Sequence, residues 1–252
     1  MFWQPFVWAH RGASGECPEN TMAAFRRAQQ CGADGLEIDV HLSQDGIPVV
    51  IHDETLDRTT NACGKVSSFT WEQLQALDAG SWFSPLFSGE PVPALVDVLQ
   101  EFGGNLRINI EVKEARAGEA ILAVLAGFPL ADVVISSFNL SLLQDLRRLT
   151  PDKSLAVLLD QGNWRHAVKL ADEIGALALH VEVGRVSRPL IAACRTFHLQ
   201  VHAWTVDDIK RVRSLLRAGV TGIFTNHPAC FSKGLAGRNS LTDDKCRKLP
   251  ST

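Results

Sequence analysis

Two histidines, three carboxylates, an arginine and a lysine stand at the ends of apolar runs in the first half of this chain. The runs read Phe6-Val7-Trp8-Ala9-His10-Arg11-Gly12, Gly35-Leu36-Glu37-Ile38-Asp39-Val40, Ile47-Pro48-Val49-Val50-Ile51-His52-Asp53 and Leu106-Arg107-Ile108-Asn109-Ile110-Glu111-Val112-Lys113. Glu37 and Asp39 are two positions apart, so on a strand their side chains share one face, while Leu36, Ile38 and Val40 take the other. Glu111 and Lys113 repeat that spacing. Carboxylates gathered on one inner face repel each other unless a cation lies between them. Three of them in oxygen-rich surroundings suit Mg²⁺ or Ca²⁺, although by residue type alone the two histidines leave a zinc or manganese site open. A pair of imidazoles, His10 and His52, can remove one proton and deliver another near neutral pH. Arg11 can grip a phosphate through two parallel hydrogen bonds. Lys113 can place a point charge on a phosphoryl oxygen; its competing role is a salt bridge to Glu37 or Glu111. The chemistry that uses all of these groups is metal-assisted cleavage of a phosphate ester.

Such groups meet only if the strands that carry them end at one place, as parallel strands do at the mouth of a β/α barrel. Apolar runs and helical patterns alternate through nearly the whole chain, which argues for a parallel sheet with crossover helices. Asn20 precedes a helical stretch that ends near Gly32. Further strands are expected over 133–135, 155–159, 178–181, 200–204 and 222–224, with helices over 119–126, 140–149, 164–174, 188–196 and 207–218. That makes one strand too many for a barrel. The stretch from Asp39 to Asp53 is too short for a crossover helix, and Ser43-Gln44-Asp45-Gly46 is a strong turn signal. Residues 41–43 and 48–51 therefore read as a local hairpin. From 54 to 92 no strand-helix unit of ordinary length is visible, and Trp71, Trp82, Phe83 and Phe87 supply apolar bulk for a small cap. The expected architecture is an α/β TIM (β/α)8 barrel over residues 1–231, with an inserted cap segment after the third strand region at about 54–92. A polar tail over 232–252 is expected to be mobile.

The chain has 252 residues, is 46% hydrophobic and carries a formal net charge of -3. That is ample for a barrel core, and it leaves no basic footprint for nucleic acid. No apolar run reaches the roughly 18 residues that cross a bilayer. The first residues lack a basic segment before the opening strand, so no secretory signal is expected. Cys17, Cys31, Cys63, Cys194, Cys230 and Cys246 follow no disulfide or zinc spacing and read as mostly reduced thiols of a cytoplasmic protein.

A set of motifs in order makes the reading specific. They are His10-Arg11-Gly12, Pro18-Glu19-Asn20-Thr21, Glu37-Ile38-Asp39-Val40, Val49-Val50-Ile51-His52-Asp53, Thr55-Leu56-Asp57-Arg58-Thr59-Thr60-Asn61, Glu111-Val112-Lys113, Ser136-Ser137-Phe138-Asn139 and Trp204-Thr205-Val206. Together they resemble the glycerophosphodiester phosphodiesterase family, over nearly the whole chain bar the tail. The resemblance implies a TIM barrel with a segment inserted after the strand of the second histidine. It implies a divalent metal, Mg²⁺ or Ca²⁺, on Glu37, Asp39 and Glu111. His10 and His52 would be the acid-base pair, and Arg11 and Lys113 would contact the phosphate. Asn20, Phe138 and Trp204 would lie in or near the substrate pocket, Trp204 as a wall for the glycerol or head group. The implied substrate is a small glycerophosphodiester, cleaved to sn-glycerol 3-phosphate and an alcohol such as choline, ethanolamine or glycerol. A lysophospholipase D or sphingomyelinase-D-like barrel is the alternative, and the lack of an apolar surface loop or secretion signal argues against it. A non-catalytic phosphoester-binding barrel would have lost one of the histidines or carboxylates, and all are present. Cys17, in the loop before Pro18, points to thiol sensitivity. His180 and Glu182 read as part of a packed strand.

Overall fold

The computed structural model describes residues 4–231; the tail assigned to 232–252 lies outside them. The elements in chain order are β1 (Phe6–His10), α1 (Met22–Gln30), β2 (Gly35–Leu42), β3 (Pro48–Val50), α2 (Trp71–Gln75), α3 (Leu95–Phe102), β4 (Arg107–Val112), α4 (Ala117–Ala126) and β5 (Val133–Ser137). They continue with α5 (Leu140–Leu149), β6 (Ser154–Leu159), α6 (Trp164–Glu173), β7 (Ala178–Glu182), α7 (Arg188–Thr196), β8 (Gln200–Trp204), α8 (Ile209–Ala218) and β9 (Gly222–Thr225). Strands pair in the order β1-β9-β8-β7-β6-β5-β4-β2, and β1 pairs with β2 to close the ring. All of these pairings are parallel. This is a TIM barrel.

The surplus strand is the hairpin arm. β3 runs antiparallel to the outer half of β2, pairing Val40 with Val50 and Leu42 with Pro48, and takes no place in the ring. The helix α3, which the sequence reading did not name, supplies the crossover from this arm to β4. Its first turn is fixed by Asp97, whose Oδ2 accepts from the Ala94 backbone N–H at 3.0 Å. Leu95, Val98, Leu99 and Phe102 form its buried face. The preceding segment folds on a separate apolar cluster of Val49, Ile51, Leu56, Val66, Leu74, Ala79 and Val92. That cluster begins on β3, so the insertion is anchored to the strand that leads to His52. No helix among the described residues is long and apolar enough to cross a membrane.

Inside the ring the lower layers are filled, not open. Trp8, Val134, Ala156, Ala178 and Phe224 form one cluster, and His180 and His202 stack within it at 5.2 Å. Trp8 Nε1 donates to His202 Nδ1 at 3.1 Å. His180 is fully buried, in keeping with a packed strand. Rings of this size fit because the strands beside them carry glycine. A Cβ on Gly35 would lie 2.6 Å from the Trp8 ring, and one on Gly222 would lie 2.6 Å from the His202 ring. Gly35→Ala should therefore overpack the barrel and cost about 1–3 kcal/mol. Thermal unfolding checks this: an unchanged Tm would mean that the interior has slack.

Candidate active site

The carboxylates are brought together by register. β2 and β4 pair Glu37 with Asn109 and Asp39 with Glu111, and β1 pairs His10 with Glu37. Oxygens of Glu37, Asp39 and Glu111 lie within 4.8 Å of one another. Glu37 and Asp39 are 3% and 1% exposed. Burial and the charges of Asp39 and Glu111 push Glu37 well above the usual carboxylate range. The same kind of environment, burial first and then Asp39, raises Glu111 to about 7. Asp39 goes the other way. Burial opposes its charge, but Lys113 and Arg11 together hold its carboxyl well below the usual range.

The counter-charges are placed closely. Lys113 Nζ lies 2.9 Å from Asp39 Oδ1 and 2.5 Å from Glu111 Oε1. The competing role of Lys113 as an ion-pair partner is thus present, with Asp39 as one partner. Arg11 follows β1 in a left-handed turn with φ 55, continued by Gly12 at φ 81. Gly12 is required there, since a Cβ would meet Ala24 Cβ at 2.7 Å. The turn aims the Arg11 backbone N–H at Glu37 Oε2, 2.9 Å away, and sets its side chain between Glu19 at 2.9 Å and Asp39 at 3.4 Å. Its Nε is buried without a hydrogen bond. Asn20 does not reach into open space: its Nδ2 donates to Asp39 Oδ2 at 2.8 Å.

The two imidazoles have different partners. His10 Nδ1 lies 2.7 Å from Asn226 Oδ1. Asn226 Nδ2 donates to Asp207 Oδ2 at 2.8 Å, so its Oδ1 is turned to the histidine and accepts there. Asp207 Oδ1 accepts from the Asn226 backbone N–H and from Thr225 Oγ1, each at 2.8 Å. His10 therefore carries its proton on Nδ1 and leaves Nε2 as a base. Burial and then Arg11 lower its pKa to about 4. His52 Nδ1 donates to Asp53 Oδ1 at 2.6 Å. Burial lowers its pKa, opposed by the charge of Asp39 and by the bond to Asp53. Asp53 is gripped by Arg58 at 2.7 and 2.9 Å. Arg58 also donates two bonds to Glu19, at 2.9 and 2.8 Å, which returns the chain of contacts to Arg11.

A cavity of about 110 Å³ is lined by His10, Arg11, Glu37, His52, Asn109, Glu111, Lys113, Phe138, Leu158, Trp204 and Phe224. Phe138 and Trp204 meet edge to face at 5.8 Å on its rim. All the catalytic, substrate-binding and metal residues expected from the sequence line this cavity except Asp39 and Asn20, which bond to each other. Sequence reasoning missed Asn226, Asp207 and Asn109. Asn226 directly follows the last barrel strand and His10 ends the first, so a polar residue at a strand end was the available signal. Cys17 is buried, and burial and Glu16 push its thiol up, which disfavours the reactive thiolate. Cys17, Cys31, Cys63 and Cys194 are free thiols, whereas Cys230 is disulfide-bonded.

Residues 10–230 match the model of the glycerophosphoryl diester phosphodiesterase family. The chain belongs to this family. It is 38% identical over 232 residues to the glycerophosphodiester phosphodiesterase of Caldanaerobacter subterraneus, covering 88% of this chain and 94% of that one. A glycerophosphodiester phosphodiesterase of Bacillus subtilis is 34% identical over 247 residues, covering 89% and 84%. Among solved structures, an Oleispira antarctica phosphodiesterase in complex with the product sn-glycerol-3-phosphate superposes with TM-score 0.82 at 30% identity, covering 90% and 94%. The glycerophosphodiester phosphodiesterase of Agrobacterium tumefaciens gives TM-score 0.80 at 32% identity, covering 91% and 99%. As a member of this enzyme family the chain is a phosphoric diester hydrolase.

If Asn226 fixes the His10 tautomer, Asn226→Ala should lower kcat by about 10²-fold with little change in KM. Steady-state kinetics on the folded variant, with Tm measured alongside, checks this. Unchanged kcat would mean that His10 needs no orienting partner.

Proposed function

We propose that the chain hydrolyses glycerophosphodiesters to sn-glycerol 3-phosphate and an alcohol, with His10 as general base and His52 as general acid. The observation that carries this reading is the pair of imidazoles set on one cavity beside three buried carboxylates, with Arg11 and Lys113 on the same lining. His10 Nε2 takes the proton of the substrate's glycerol 2-hydroxyl, whose oxygen attacks the phosphorus. Attack from within the same molecule carries a large effective concentration. The bond from phosphorus to the alcohol oxygen breaks, and His52, in its imidazolium form with Nδ1–H held by Asp53, delivers its Nε2 proton to that oxygen. Water then opens the cyclic phosphate with the two roles exchanged. Arg11 and Lys113 hold the phosphoryl oxygens, and Asn20 serves the site by orienting Asp39. Trp204 and Phe138 wall the substrate.

Glu37, Asp39 and Glu111 fit a divalent cation. Without one, Glu37 and Glu111 are driven toward their protonated forms by burial and mutual repulsion; with one, all can ionise. An oxygen-only donor set favours Mg²⁺ or Ca²⁺ over zinc. A bound cation would neutralise charge developing on the phosphoryl group, which is worth several kcal/mol.

Chelator treatment should lower the turnover of glycerophosphodiesters by roughly 10³-fold or more, with recovery on adding Mg²⁺ or Ca²⁺. Full activity in chelator would overturn the metal assignment. The histidine roles are separable by leaving group. His52→Ala should lose about 10²-fold or more on choline or glycerol esters and far less on a nitrophenyl ester, whose leaving group needs no proton. His10→Ala should be impaired on both. Equal losses for His52→Ala on the two esters would reject the assignment, and a reversed pattern would exchange the roles.

A further inference from the structure

The cavity floor contains an acceptor that the protein leaves unsatisfied. Asn109 sits on β4, opposite Glu37 in register and two residues before Glu111 on the same face. It is 1% exposed. Its Nδ2 donates to Ser136 Oγ on β5 at 3.0 Å, while its Oδ1 is buried with no partner. The residue lines the cavity, and Oδ1 is its amide atom without a partner. Leu158 and Phe224, which share the lining, supply no donor.

Among the described residues, the other buried polar atoms on this cavity without a hydrogen bond are donors: Trp204 Nε1, and Arg11 Nε, which is ion-paired with Asp39 at 3.4 Å. Donors suit phosphoryl oxygens. An acceptor does not; it suits a hydroxyl. On the reading proposed above, the substrate brings two hydroxyls on its glycerol. The 2-hydroxyl must face His10 to lose its proton. The phosphate is held beside Arg11 and Lys113, and the leaving alcohol lies on the side of His52. That side opens on a separate groove of about 520 Å³ lined by His41, His52, Asp53, Glu54 and Lys113 among others. The glycerol is then left to point inward, and its terminal hydroxyl reaches deepest, at the level of Asn109.

We propose that Asn109 Oδ1 accepts a hydrogen bond from the terminal hydroxyl of the substrate's glycerol, and so selects glycerol over diols that lack this group. The inference rests on the glycerophosphodiester reading. A ligand without the hydroxyl leaves the buried oxygen unpaired, and a site built to bond a hydroxyl discriminates against its absence.

The test compares glycerophosphocholine with the choline diester of 2-hydroxypropyl phosphate. The second substrate keeps the 2-hydroxyl and replaces only the terminal one by hydrogen. Wild-type enzyme should favour the glycerol ester in kcat/KM by about 10- to 100-fold. Asn109→Ala and Asn109→Leu should shrink that ratio to about 3-fold or less. The Kd values of sn-glycerol 3-phosphate and 2-hydroxypropyl phosphate should show the same loss of preference, a change that a purely structural role would not produce. Wild-type enzyme without a preference overturns the proposal, and needs no variant to do so. Folded Asn109 variants that retain the full preference overturn it too. If wild-type enzyme with a divalent cation cleaves no glycerophosphodiester, the parent reading has failed rather than the role of Asn109 within it.

Discussion

The constraint on which the rest of the structure depends is electrostatic. Glu37, Asp39 and Glu111 point into one space from neighbouring strands, within 4.8 Å of each other and nearly out of water. Like charges at that distance repel strongly wherever the local dielectric falls below that of water. The barrel cannot relieve this by letting the strands slip, because a one-residue shift would turn the carboxylates outward and bury the opposite face in their place. The repulsion is met instead by groups that converge on it. Lys113 bridges Asp39 and Glu111 from the end of β4. Arg11 brings its guanidinium to Asp39 and its backbone N–H to Glu37. Asn20 adds an amide donor to Asp39. Two fixed cations against three carboxylates leave the cluster short of positive charge, and that deficit is what a divalent cation would make up.

The same shortage organises the surroundings. Glu19 and Asp53 lie further out, and each is shared between a residue of the site and Arg58. Arg58 belongs to the insertion, so the insertion is tied through it to both the His10-Arg11 turn and the His52 arm. Its own apolar cluster begins on β3, which fixes the arm from the other side. An exposed ion pair alone contributes little. A bidentate one that joins two already ordered segments holds an angle, and the angle at issue is that of the His52 ring.

The barrel, its hairpin and the groups at the mouth were legible because each left a local mark. Alternation placed Glu37 and Asp39 on one face, Ser43-Gln44-Asp45-Gly46 marked the turn into β3, and a charged residue ended each run. Asn226 and Asp207 left no such mark. Asn226 acts on His10 across 216 residues of sequence, with Asp207 behind it, and only closure of β1 against β9 brings them together. The helix α3 was hidden for a different reason: it follows an irregular segment closely, and its cap is an aspartate inside the helix reaching back to an alanine. Arg58 and Glu19 were visible as motif residues, but their joint grip on the site follows from the folded insertion and not from spacing.

Along the inner face of the ring, packing gives way to chemistry within two residues. On β1 the change is from Trp8 to His10, on β4 from Asn109 to Glu111, and at the end of β9 from Phe224 to Asn226 just beyond it. Below that boundary, aromatic rings seated against Gly35 and Gly222 leave the interior no room to adjust. Above it lie nearly all the titratable groups of the site. A charged cluster of this kind keeps its geometry only if the layer beneath it does not move, since a small displacement of one carboxylate would change its distance to all its partners at once. The close-packed floor is therefore part of the site's electrostatics. Asn109, with one amide group bonded to the wall and the other unbonded, stands on the boundary between the two layers.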